Sequence, residues 1–65
     1  MSFCENLKRL REEKELSQAE LAKLVGISQG AIGQYELNIK QPGVTVAGKI
    51  AKVLGTTVDD MLWGE

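Results

Sequence analysis

The stretch from Ser17 to Glu36 leaves the chain little choice of fold, because two helix-start signals flank a single glycine there. Ser17 with Glu20 three residues on has the form of a capping box, and Leu21, Ala22 and Val25 then make an apolar stripe over about 18–25. Gly26 supplies the left-handed conformation that ends a helix without a Cβ clash. Ile27 follows as an apolar anchor, and Ser28 is already an N-cap for the next helix. Two helices joined across so short a turn must cross closely. The contact needs a small residue (Ala22), a turn residue without Cβ (Gly26), and apolar residues that lock the pair from below (Leu21, Val25, Ile27, Ile32, Tyr35).

The same reasoning extends to the rest of the chain. Ser2 and Glu5 form another capping box, and Phe3, Leu7 and Leu10 recur at helical spacing over about 3–14. Lys8, Arg9, Glu12 and Glu13 make the solvated face, where Glu5 with Arg9 and Lys8 with Glu12 are expected as favourable neighbours. A third helix, about 29–37, carries Ile32, Tyr35 and Glu36 on one face and Gln29, Gly30, Gly33 and Gln34 on the other. Each interior glycine costs about 1 kcal/mol relative to alanine, so two on one short helix require a reason. Asn38, tolerant of positive φ, ends it. After a loop from Ile39 to Gly43, Val44, Ala47, Ile50, Ala51 and Leu54 mark a fourth helix closed by Gly55. Thr57 caps a fifth, with Asp59 and Asp60 in its first turn and Met61, Leu62 and Trp63 as apolar bulk. The reading is an all-α chain of five short helices, without strand-like alternation, repeats or linkers.

Sixty-five residues form one domain, 1–65. With one cysteine and no histidine, neither an internal disulfide nor a zinc pattern of three or four Cys/His ligands is available. Cys4 reads as a small apolar filler, since no base stands beside it to make it a nucleophile. No run is apolar enough to cross a bilayer, and the start lacks a signal peptide, so a cytoplasmic protein is expected, with no membrane partner. Eight basic against nine acidic residues give a net charge of −1, but residues 55–65 hold three negative charges and no positive ones. Any surface for nucleic acid must therefore be local.

The segment LSQAELAKLVGISQGAIGQYELNIKQP resembles the helix-turn-helix of phage Cro and CI repressors and the wider XRE-like regulators, and IAKVLGTTVDDML is similar to the last two helices of that family. The resemblance implies a compact five-helix, lambda-repressor-like domain that binds double-stranded operator DNA, usually as a two-fold dimer. It places the recognition-helix glutamine on Gln29, reading adenine, and the bracing, phosphate-touching glutamine on Gln18. Gln itself offers a donor and an acceptor on one amide, which matches adenine N6 and N7. Gln34 matches a further DNA-contacting position, and Ser28 heads the same helix. Gly30, Ala31 and Gly33 match small residues that allow close approach to base edges. Leu37 replaces a usual asparagine, leaving Asn38 and Lys40 as phosphate ligands through the loop backbone and the ammonium. Arg11 and Glu36 match a largely buried ion pair.

The implied function is a phage or prophage repressor that occupies a palindromic operator, as a homodimer formed in solution or only on DNA, with Val58, Met61, Leu62 and Trp63 either as the dimer surface or, equally, as core. No enzyme activity, cofactor, metal or small-molecule substrate is expected. Only Met1 and Ser2 precede the first helix, so no arm contacts are expected, and the salt slope should be roughly three or four per subunit. The competing class is a protein-interaction module of the same fold, such as an antitoxin or adaptor, which the near-neutral charge favours.

Overall fold

The computed structural model describes residues 2–64, which form five helices. These are α1 (Phe3–Glu13), α2 (Gln18–Val25), α3 (Gln29–Glu36), α4 (Val44–Val53) and α5 (Val58–Trp63). The ends follow local chemistry. The hydroxyls of Ser2, Ser17, Ser28 and Thr57 each accept a backbone N–H from the first turn of their helix. Ser2 with Glu5 and Ser17 with Glu20 complete reciprocal capping boxes. In both boxes the bonds from the serine lower the glutamate pKa below its ordinary value. Gly26 takes the left-handed conformation at φ 87° that turns the chain from α2 toward α3. Helices α1, α3 and α4 each stop one residue short of the expected end, because Lys14, Leu37 and Leu54 are C-caps.

Each helix contributes one fully buried apolar side chain to the centre: Leu7, Leu21, Ile32, Ile50 and Met61. Phe3, Ala22, Val25, Ala47, Ala51 and Leu54 pack around them. Burying a side chain of the leucine, isoleucine or methionine type contributes about 1.5–3 kcal/mol, so these five are the main stabilising element of a small chain. Met61 is thus a core residue and cannot line a dimer surface. In a six-residue helix its apolar neighbours Leu62 and Trp63 turn outward instead, being 37% and 80% exposed.

A polar residue completes the core. Asn6 is fully buried, and its Nδ2 donates to Met61 O at 2.7 Å and Gly64 O at 3.2 Å. It thereby ties α1 to the end of α5. Its Oδ1 accepts from Arg9 Nη2 at 3.1 Å, and Arg9 Nη1 pairs with Glu13 at 2.9 Å. The expected Glu5–Arg9 neighbour pair gives way to these contacts, since the Glu5 carboxylate accepts from Ser2 in the capping box.

Candidate nucleic-acid interface

Helix α3 presents two unlike faces. Ile32 seals the inner one, while Gln29, Gly30 and Gln34 are exposed and Ala31 and Gly33 half-buried. Residues 29, 30, 33 and 34 share one side at helical spacing. Ser28 Oγ accepts from Ala31 N at 3.1 Å, so this hydroxyl is engaged as the N-cap of the same helix.

The inner face is anchored by charge as well as by Ile32. Arg11 Nε donates to Glu36 Oε2 at 2.6 Å and Arg11 Nη2 to Glu36 Oε1 at 3.1 Å, a two-pronged pair joining α1 to the last turn of α3. The two side chains are only 11% and 4% exposed. Arg11 Nη1 also donates to Leu16 O at 2.7 Å. The bond to Glu36 raises the Arg11 pKa despite the opposing effect of burial. Gln18, at the start of α2, donates from Nε2 to Glu36 Oε1 at 3.1 Å. The bond recorded for Gln18 therefore runs to the ion pair rather than to Gln29. Its carboxamide lies along the edge of α3, where a Cβ on Gly33 would meet Gln18 Oε1 at 3.6 Å.

The segment after α3 closes on itself. Asn38, at φ 60°, donates its backbone N–H to Tyr35 O, and the N–H groups of Ile39 and Lys40 both turn back to Gln34 O. Those backbone amides are committed within the chain. The groups offered outward are therefore the side chains of the exposed Asn38 and Lys40, with Asn38 Oδ1 accepting from Gln41 Nε2 at 2.6 Å.

On another face, an open cleft of about 180 Å³ is lined by Phe3, Gln41, Pro42, Val44, Ala47, Val58 and Leu62. Val58 is half-buried, and Trp63, at the end of the same helix, is exposed. Among the described residues, no cluster of His, Cys, Asp or Glu could hold a metal ion, and no helix is long and apolar enough to cross a membrane.

A family model described as helix-turn-helix matches residues 7–61, from the buried Leu7 of α1 to the buried Met61 of α5. The chain belongs to the XRE-like helix-turn-helix family. Among its relatives is YqaE of Bacillus subtilis, an HTH-type transcriptional regulator without a characterised role, 36% identical over 97% of this chain. The chain spans 54% of the length of that relative. Among solved structures, the P22 c2 repressor in complex with a synthetic operator superposes with a TM-score of 0.95 at 29% identity, covering 100% of this chain and 98% of that one. HppE superposes at 0.83 with 33% identity over 92% of this chain, but the match covers 34% of HppE.

Within this helix-turn-helix, Gln29, Gly30, Gly33 and Gln34 come together on one side of α3, with Gln18 at its edge and Asn38 and Lys40 just past its end. The link from Gln18 to Glu36 was not foreseen from the sequence. Its only signal there is that an amide and a carboxylate belong to elements that must cross.

Proposed function

We propose that this chain is a sequence-specific transcriptional regulator acting as one domain, 1–65, that binds double-stranded operator DNA with α3 in the major groove. The observation that carries this reading is the uncharged, glycine-containing outer face of α3, held rigidly from behind by Ile32 and the Arg11–Glu36 pair. The P22 c2 repressor, solved with its operator, has the same arrangement of helices along its whole length.

Gln29 and Gln34 are the base-reading groups, since an amide can satisfy adenine N6 and N7 together. Gly30, Ala31 and Gly33 lack long side chains, which lets the backbone of α3 approach base edges and thymine methyl groups. Asn38 and Lys40 hold phosphates through their side chains, and Ser28 and Gln18 flank the contact. One copy measures 25 Å in its longest dimension, whereas half-sites on one face of the duplex lie about 34 Å apart. Two copies on an inverted repeat are therefore needed, and Val58, Leu62 and Trp63 are the apolar groups offered for their contact. Occupancy of a phage-type operator would exclude polymerase.

Selection from random duplexes in about 100 mM salt tests this, with an enriched inverted repeat expected and a salt slope of roughly three or four per subunit. No enrichment by a folded sample would overturn the reading. It would favour a protein-interaction module instead, a role to which the exposed Leu24, Leu37, Ile39 and Val44 are suited.

A further inference from the structure

The Gln18 carboxamide is held in one of its two possible orientations. Oxygen and nitrogen of a glutamine amide are nearly equal in size, so packing alone does not choose between them. A carboxylate does, because it accepts hydrogen bonds and has none to give. With Glu36 Oε1 at 3.1 Å, the amide nitrogen of Gln18 must face inward and its carbonyl oxygen toward the edge of α3, beside Gly33. Turning the amide over would set two acceptor oxygens against each other. Glu36 cannot swing aside to relieve this, because both of its oxygens are held by Arg11, and Arg11 is held in turn by the Leu16 carbonyl. Three links thus lead from the α1–α2 connection to the amide at the start of α2, all on groups that are largely buried.

We infer that Glu36 is a positioning residue for DNA reading, which acts through Gln18 to present a hydrogen-bond acceptor, never a donor, at the α2–α3 edge. The inference rests on the DNA reading of α3 and adds its polarity. An acceptor there selects an amino group on the major-groove edge, adenine N6 or cytosine N4, over the keto oxygens of thymine or guanine. The selection holds whether the base amine meets Gln18 directly or through Gln29. In the relayed case the Gln18 oxygen takes one amide hydrogen of Gln29, leaving the other hydrogen and the carbonyl oxygen of Gln29 facing the base.

The test starts from the duplex selected by the native chain. At each half-site position the amine is exchanged for a keto group within a complete Watson–Crick pair, hypoxanthine with cytosine for adenine with thymine or uracil with 2,6-diaminopurine for cytosine with guanine, and the affinity ratio is measured. At one position the native chain should discriminate by about tenfold. Glu36→Gln, whose amide can give as well as accept, should bring that ratio to within about twofold of unity, as should Gln18→Met. In the Gln18→Met background, Glu36→Gln should change the ratio no further. A ratio measured on one sample does not depend on the folded fraction, so lost stability alone would leave it unmoved. Should Glu36→Gln fail to fold, the free native chain supplies a second readout by NMR. One side-chain amide hydrogen of Gln18 should exchange with solvent markedly more slowly than those of the exposed Gln29. Equal exchange overturns the inference, as does native discrimination that survives both substitutions. A native chain that selects no duplex sinks the DNA reading and the inference with it.

Discussion

Asn6 offers the sharpest test of how this chain is held together. Replacing it with alanine removes the donors to Met61 O and Gly64 O and leaves at least one carbonyl buried without its partner. Two such bonds contribute about 1 kcal/mol each, and a stranded buried acceptor costs about 1–3 kcal/mol, so the expected loss is about 3–5 kcal/mol. A chain of 65 residues has roughly 3–10 kcal/mol in all, which makes this a large fraction. Urea unfolding followed by far-UV circular dichroism measures the loss. Hydrogen exchange should locate it first in α5, where the Met61 amide bonds to Thr57 O. Asn6→Asp separates the hydrogen-bonding role from shape. A carboxylate would be fully buried against two carbonyl oxygens, which outweighs the part-exposed Arg9 guanidinium on its other oxygen, so its folded-state pKa would rise, and stability would be kept at low pH and lost as pH climbs through that raised value. A change under about 0.5 kcal/mol for Asn6→Ala, together with a pH-independent Asn6→Asp, would refute this account of the α1–α5 joint.

Other outcomes follow from the same structure. Glu36→Gln or Arg11→Met alone should destabilise the chain by about 3–5 kcal/mol by stranding the other partner, whereas replacing both with methionine should recover most of that loss in a double-mutant cycle of urea melts. Gly33→Ala should raise the thermal midpoint, since the added Cβ meets Gln18 at an ordinary 3.6 Å and α3 gains about 1 kcal/mol of helix propensity, while operator affinity falls. Glu5 and Glu20, whose pKa values are lowered by hydrogen bonds from their serines, should titrate by NMR below the ordinary 4.5. The part of stability that depends on these two capping boxes is therefore complete above the ordinary value and lost as pH falls through the lowered ones.

Helix boundaries were legible because they depend on neighbours in sequence: a serine and a glutamate three apart, or a glycine after an apolar stripe, act within one turn. The separation of α3 into an apolar and a polar face was legible for the same reason. Asn6 was missed although it occupies the 3, 6, 7, 10 stripe of α1, where an amide reads as a break in the pattern unless the carbonyls of α5 are known to lie opposite. Whether Met61 faces the core or a dimer surface was not legible, because six residues contain too little of a helical period to tell inside from outside. The contacts that Arg9 and Gln18 make within the free chain are not written in residue spacing alone. Each long side chain has several groups within reach, and the choice depends on what is already engaged: Glu5 by Ser2 within its own capping box, and Glu36 by Arg11 across the packing of α1 on α3. The positive φ of Glu15 carries no signal in residue type at all.

The division of labour along α3 bears on how such a chain can change over generations. The residues that hold the helix, Ile32 and Glu36, are different from Gln29, Gly30 and Gln34, whose side chains lie exposed on its outer side. Substitutions at the outer positions leave the core and the ion pair untouched. A lineage could therefore alter which duplex sequence it prefers without first passing through unstable intermediates, and related chains could share one scaffold while answering to unrelated operators.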